Sequence, residues 1–541
     1  MDAATVNGLA SALILACAGF RVWLYFSKDR DDYQFLFKLW RFVIMPAACL
    51  IAVAGQFPGL ESAGWFAIGI PVYLVCLFCS YYFFRGGATI SSAASDVTED
   101  SAFLRKLAQP FDPERYIDLK KGVFVGLDSR RKPIYLSRQT IFKNHTEILG
   151  ESGVGKSSLA GVVLSQLAAA GETVVVFDPK NDRNLPGALA RAGREWGNYP
   201  VHAIDLRPQA GPQINPFYGA RDDQVEELLQ VALELGKTGE AGVDFYRGKD
   251  REATSFIAQA MADGETSMLE IVEKASADER VTEQENLWRE LRQLARVKAF
   301  HTTSGLDLEE VLSKPGIVYI IGSTTRLEVV AAQKLLLQRV LQILDEREDA
   351  SRPVALFLDE LKYILSPAAL RAAGTIRDRN CHLFFAHQSL GDLDDCPGLS
   401  PKAVRGAIWG NSGIKIVYKM LDSNTAKELE TIAGTVTRAA TSVGANDSGE
   451  TVSTRLEKGL YMPSHVFTHL PKPSNGEASV GVVFGLGTAW YLSTRYIESG
   501  PAPQPVLAPL EVRGQSPAAA SDEPFGSSEV ANADDLSDVL K

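Results

Sequence analysis

Cysteine and histidine are scarce in this sequence, with six and seven copies among 541 residues. Cys17, Cys49, Cys76 and Cys79 lie in apolar runs, and Cys381 and Cys396 stand apart without paired spacing. Such usage offers no disulfide framework and suits a reducing compartment. Cys76-x-x-Cys79 has the spacing of a metal pair, yet neither a second pair nor a histidine accompanies it. Both are read as small buried hydrophobes. The histidines form no cluster, so a metal-dependent hydrolase has no support. Excess positive charge is lacking as well. The formal net charge is -11, which at first argues against nucleic acid as a partner. The acidity is uneven, however, because residues 501–541 carry seven carboxylates against only Arg513 and Lys541. The rest of the chain is mildly acidic and leaves room for a local basic channel.

What is present begins with three apolar runs: Val6–Phe20, Phe42–Phe57 and Ala63–Phe84. The third is long enough for ~30 Å of hydrocarbon; the first two need their flanking residues. Arg21 and the aromatics Trp23, Tyr25 and Phe26 close the first run like a membrane-interface belt. A cleaved signal peptide ranks below a span there, since no basic leader or A-x-A site surrounds it. Arg21, Lys28, Arg30, Lys38 and Arg41 follow the first run, and the turn before the third carries no base. The positive-inside rule then places residues 21–41, and everything after Arg85, in the cytoplasm, with two or three spans.

Beyond residue 121, short apolar strands alternate with helical stretches, which predicts an α/β fold around a parallel sheet. "TVVVFD" (173–178), "VHAIDL" (201–206), "IVYIIGS" (317–323), "VALFLDE" (354–360), "HLFFAHQ" (382–388) and "IKIVYKM" (414–420) lack polar alternation, as strands buried on both faces do. "SVGVVFGLG" and "TAWYLSTRYI" predict a closing hairpin. Residues 219–310 hold only helical spacing and are read as an all-α insertion. The expected organisation is a membrane region over 1–85, a linker over 86–120, and a nucleotide domain over 121–218 and 311–498. A disordered acidic tail is expected over 499–541.

The chemistry concentrates in a few motifs. Gly150-Glu151-Ser152-Gly153-Val154-Gly155-Lys156-Ser157 fits G-x-x-x-x-G-K-[ST] between a strand and a helix. Its glycines let backbone N–H groups close around phosphate oxygens, and Ser158 continues into the helix. Lys156 is expected on the β/γ-phosphates of ATP and Ser157 on Mg²⁺. In "RPVALFLDEL", Asp359 and Glu360 end a buried strand. Asp359 would hold Mg²⁺ from its outer coordination sphere, and Glu360 would polarise the attacking water. A helix-capping role for the pair recedes beside a P-loop. Gln388 ends "CHLFFAHQ", where an amide can report on the γ-phosphate. Arg377 and Arg379 precede that strand, and either could serve as an arginine finger to a neighbouring subunit. An L-S-G-G-Q signature is missing, which removes ABC-type ATPases.

The ordered set of apolar N-terminus, P-loop, "FDPKND" (177–182), "INPF" (214–217), helical insertion, "LFLDEL" and "AHQSLGDL" resembles the type IV secretion coupling proteins of the TraD/TraG kind. The resemblance spans about residues 120–495. It implies a RecA-like domain in which Lys156, Ser157, Asp359 and Glu360 form the ATPase core and Gln388 the sensor. It favours Arg377 over Arg379 as the finger, because Arg377 stands eleven residues before Gln388. It further implies a homo-hexamer at the bacterial inner membrane, around a channel for single-stranded DNA. The helical insertion would face a relaxase–DNA complex, the acidic tail would dock relaxosome proteins, and the assembly would meet type IV secretion channel components. Two positions depart from the family pattern. Glu151 and Val154 replace small residues, and Glu151 is expected to bring negative charge near the phosphates and weaken nucleotide affinity. The short turn between the second and third runs and the third run itself also depart from the family's hairpin.

Three functions are weighed on these grounds. A membrane-anchored ATPase feeding a nucleoprotein to a secretion channel leads. A chromosome translocase of the FtsK kind would end in a winged helix rather than an acidic tail. A nucleotide-switched docking receptor for protein cargo would show no response to DNA.

Overall fold

A computed structural model describes residues 100–509 apart from 238–239, 261–265, 447–448 and 475. The apolar runs of residues 1–85, their span count, and the acidic stretch after residue 509 lie outside the described residues. Among the described residues no helix is long and apolar enough to cross a membrane. From Phe103 onward the described chain forms one compact unit.

Its centre is an eleven-stranded sheet. In chain order the strands are β1 (Val123–Leu127), β2 (Pro133–Leu136), β3 (Thr146–Leu149), β4 (Thr173–Asp178), β5 (Val201–Asp205), β6 (Gly316–Ile321), β7 (Val354–Leu358), β8 (Cys381–His387) and β9 (Ile414–Val417). A separate two-stranded ribbon follows, β10 (Thr435–Asn446) with β11 (Gly449–Leu460), and then β12 (Ser479–Phe484) and β13 (Trp490–Thr494) return to the sheet. The order across the sheet is β2-β1-β13-β12-β9-β3-β8-β7-β4-β6-β5. Strands β9 through β5 in that order pair in parallel, and β12, β13, β1 and β2 add on antiparallel.

The unalternating apolar strands are explained by burial on both faces. In β4, Val174 and Val176 join the cluster that holds Leu159 and Leu164 of the helix after the P-loop. Val175 and Phe177 point the other way, into a cluster with Leu228, Leu291 and Phe300. That second cluster is continuous with the helical segment between β5 and β6, which contributes Asp222–Ala232, Ala241–Gln259, Met268–Ser276 and Glu285–Leu294. Glu285–Leu294 buries Leu287, Leu291 and Leu294, a heptad-like stripe that needs a partner surface. Ser267 starts Met268–Ser276 with a capping box: its Oγ accepts from Glu270 N at 3.3 Å, and Glu270 Oε2 accepts from Ser267 N at 3.0 Å.

Three features differ from expectation. Strands β1 and β2 were not legible. β1 is held by Gln166 of the P-loop helix, which accepts from Phe124 N and donates to Phe124 O, both at 2.8 Å, and β2 pairs onto β1. The stretch expected as linker is partly packed, since Leu107 is fully buried and its carbonyl accepts from Ser493 Oγ at 2.9 Å. The tail expected to be disordered from residue 499 is tied down at first. Gly500 N donates to Gly187 O at 3.1 Å and Ala508 N to Pro212 O at 2.8 Å. Composition alone cannot register such backbone partners; here Gly187 admits the close approach, since a Cβ there would meet Gly500 O at 2.2 Å.

Candidate functional site

In an open parallel sheet the carboxyl ends of the strands form the natural ligand crevice. Pairing aligns Leu149 with His387, Phe385 with Leu358, and Leu358 with Phe177. The residues just past those strands therefore form a row: Gly150 after β3, Gln388 after β8, Asp359 and Glu360 after β7, and Lys180 two residues after β4. The strand carrying Gln388 lies between the two Walker strands.

The P-loop links β3 to the helix Lys156–Ala169, with Gly150, Gly153 and Gly155 at φ of 147°, 76° and 111°. The close approaches are specific. A Cβ on Gly155 would stand 2.0 Å from Ser479 Oγ of β12, whereas one on Gly153 would meet only the Lys472 side chain at 3.5 Å, facing the cleft. Gly155 caps the helix without a side-chain partner, leaving first-turn N–H groups for an anion. Replacing Gly155 by Ala should therefore weaken nucleotide binding about tenfold or more, through both the left-handed backbone and the collision. Titration with a fluorescent nucleotide checks this, and unchanged affinity would contradict the described loop geometry.

A cavity of about 270 Å³ opens here, lined by Ser152, Gly153, Gly155, Lys156, Ser157 and Ser158 and, across it, by Lys180 and Asp359. Gly150, Glu151 and Val154 do not line it. Val154 is 1% exposed and packs in the core under the loop, so its departure from the family pattern is a packing change. A Cβ on Gly150 would meet Val154 Cγ2 at 2.8 Å. Glu151 donates its N–H to Lys419 O at 3.0 Å, and its Oε1 is buried without a hydrogen-bond partner. Lys156 Nζ donates to the carbonyls of Gly150 at 2.5 Å and Glu151 at 3.0 Å. Burial lowers the Lys156 pKa, and the nearby Asp359 works against that shift.

Carboxylates face these lysines. Burial first, and then Asp178, push the Asp359 carboxyl up to about 7. Asp178 is itself raised, chiefly by burial, while accepting from Tyr319 Oη at 2.5 Å. A site where buried carboxylates crowd beside a hydroxyl-bearing P-loop fits a divalent cation, which would relieve their repulsion. Glu360 is 2% exposed and holds φ of 44°, a left-handed backbone uncommon outside glycine. Its Oε1 accepts from Gln388 Nε2 at 3.4 Å and pairs with Lys180 Nζ. Gln388 is fixed in turn, its N–H donating to Asp392 Oδ2 at 2.8 Å.

Arg377 is the residue not brought to this cleft. It is exposed and precedes β8 at the opposite edge of the sheet, ~23 Å away along a seven-residue strand. Arg379 is tied to Asp345 at 3.0 Å. Sequence reasoning passed over Lys180 and Asp178, although both stand in "FDPKND"; an Asp and a Lys after a buried strand were the available signal.

The chain is similar to several known proteins. Residues 353–472 match the family described as the TraM recognition site of TraD and TraG, and residues 123–183 match the central domain of the helicase HerA. A Mobilization protein A from Escherichia coli is 30% identical over 274 residues, covering 50% of this chain and 50% of that protein. The chain thus spans about half the length of that curated relative. Among solved structures, the bacterial conjugative coupling protein TrwB in an unbound form aligns with a TM-score of 0.52 at 16% identity, over 74% of this chain and 94% of that one. Plasmid coupling protein TrwB in complex with the GTP analogue GDPNP aligns with a TM-score of 0.53 at 15% identity, over 74% and 96%. At such identities these structures establish the fold, α/β with a large mostly parallel sheet. In its matched segments and in its fold, the chain is similar to type IV secretion coupling proteins of the TraD/TraG kind.

Proposed function

We propose that this protein is an ATP-hydrolysing motor that couples a relaxase–DNA or protein cargo to a type IV secretion channel and drives single-stranded DNA through it. The observation that carries the reading is the convergence of Lys156, Ser157, Asp359, Glu360 and Gln388 on the carboxyl edge of one parallel sheet. TrwB has been solved with ADP and Mg²⁺ and with an ATP analogue, which supports the same ligands here.

The residues divide the work by position. Lys156 leaves its loop carbonyls to neutralise the β/γ-phosphates. Ser157 and Asp359 would hold Mg²⁺, which when bound would spread the negative charge of phosphoryl transfer. Glu360 orients a water and takes its proton as the oxygen attacks the γ-phosphorus, whose bond to the β,γ-bridging oxygen breaks so that ADP leaves with that oxygen. Gln388, hydrogen-bonded to Glu360, transmits the change along β8. Arg377, at the far edge, acts on the site of a neighbouring copy, which requires a ring such as a homo-hexamer. The apolar runs of residues 1–85 anchor this ring at the bacterial inner membrane with the motor in the cytoplasm. The match of residues 353–472 to a TraM recognition site supports a relaxosome partner, and the helical segment and the acidic tail are further surfaces proposed to engage it.

The test is ATPase activity of the full chain with and without single-stranded DNA across a salt series. Stimulation that declines as salt rises is expected, since phosphate contacts release counterions. Hydrolysis indifferent to DNA at every salt concentration would replace the motor with a nucleotide-switched docking receptor.

A further inference from the structure

We infer that Lys180 is a positioning residue that holds the Glu360 carboxylate until a terminal phosphate in the cleft takes over its ammonium, so that this lysine distinguishes a nucleoside triphosphate from a diphosphate. The inference rests on reading the cleft as a triphosphate site.

The geometry that carries it is local. Lys180 Nζ pairs with Glu360 Oε1 and donates to Ser152 Oγ of the P-loop at 3.4 Å. It therefore bridges the base and the phosphate loop. Its anchorage is rigid at the backbone and free at the tip. Lys180 N donates to Asp178 Oδ1 at 3.0 Å, Asp182 N donates to Asp178 Oδ2 at 2.6 Å, and Asn181 sits at φ of 56°. The four-carbon stem beyond that clamp is flexible, and the side chain is 35% exposed, lining the same cavity as Lys156 and Ser157. Glu360, at 3% side-chain exposure, has little water to replace the ammonium.

Two arrangements of these groups follow. With Lys180 on Glu360, Oε1 is engaged by the ammonium and by the Gln388 amide, and has little capacity left to orient a water. A γ-phosphate offers more charge than one carboxylate, at a position between Ser152 and Lys156. Lys180 then moves onto the phosphate, leaving Oε1 with Gln388 as its remaining partner and free for water. A diphosphate lacks the group that competes for the lysine. Simple neutralisation of a buried carboxylate would account for the ion pair, but it predicts no dependence on the number of phosphates.

The experiment compares the full-length protein with Lys180→Met and Lys180→Arg, measuring affinity for ADP and for a non-hydrolysable ATP analogue in the presence of Mg²⁺. Lys180→Met is expected to lose about tenfold for the triphosphate analogue, the worth of one charge-assisted hydrogen bond, with ADP affinity unchanged. Lys180→Arg should restore most of the loss, and KM for ATP should rise in Lys180→Met and return toward the wild-type value in Lys180→Arg. Without nucleotide, Lys180→Met should lower the melting temperature, and Lys180→Met/Glu360→Gln should recover it, which reports the pair itself. Equal loss for both nucleotides, loss for neither, or a melting temperature that does not move overturns the inference. Lys156→Ala separates this failure from that of the site reading: if it binds both nucleotides normally, the triphosphate site itself is wrong.

Discussion

Glu360→Gln is expected to reduce ATP turnover by about 10²–10⁴-fold while nucleotide still binds, ADP as before and the triphosphate at least as tightly, since Lys180 is released from its carboxylate. The amide keeps the shape of the side chain and can still meet Gln388, but it cannot accept a proton from an attacking water. Lys156, the glycines and Asp359 are untouched, so binding should persist. The lost ion pair leaves Lys180 with a side chain 35% exposed, where solvent can take the place of the carboxylate. Phosphate release under saturating ATP, set beside displacement of a fluorescent nucleotide, separates the two effects. Turnover within a few-fold of wild type would move the base elsewhere, and the carboxylate at the end of β7 would then be structural.

Lys415→Met should destabilise the protein by about 3–5 kcal/mol, as expected when one partner of a buried ion pair is removed. Glu147 of β3 is fully buried directly below the P-loop, between strands β8 and β9. Its Oε1 meets His387 Nε2 at 2.7 Å, and its Oε2 lies 3.8 Å from Lys415 Nζ with no hydrogen bond. Burial lowers the Lys415 pKa and Glu147 opposes that shift. The ammonium is otherwise satisfied by the carbonyls of Trp409 at 2.8 Å and Ser412 at 2.6 Å. Methionine keeps the length of the stem and removes the charge facing Glu147. Thermal and urea unfolding measure the loss, and adding Glu147→Leu should return much of it, because an apolar pair of similar volume is tolerated. A single mutant as stable as wild type would mean that His387 alone sustains the Glu147 carboxylate.

The parallel core was legible because its strands carry their burial in plain view: "TVVVFD" and "VALFLDE" have no polar face to hide. Strands β1 and β2, and the ribbon of β10 and β11, were not, because "PIYL" is half exposed and the ribbon is rich in Thr, Ser and Gly. The P-loop and the Asp359–Glu360 pair announce themselves by residue type and by the strand before them. Val154 does not, since only the fold decides whether its side chain faces phosphate or core. Lys180 required the adjacency of β4 and β7, strands about 180 positions apart in sequence, before its ammonium could be matched to Glu360. For Arg377 the eleven-residue spacing to Gln388 was visible, but the extended strand between them sets the two at opposite edges.

The strand order has a consequence for how the chain is made. β4 pairs with β6 through Thr173 and Gly316, about 140 positions later, and with β7 through Thr173 and Val354, later still. At ~5–20 residues per second, the ribosome leaves both edges of β4 without their partners for roughly ten to thirty seconds. During that interval a strongly apolar strand of the sheet has emerged beside a complete phosphate loop that does not yet face Asp359 and Glu360. The helical segment is synthesised in the same interval, and Leu228, Leu291 and Phe300 meet Val175 and Phe177 in one cluster. It is positioned to cover one face of β4 before the sheet can close around its edges, as a scaffold built into the order of translation.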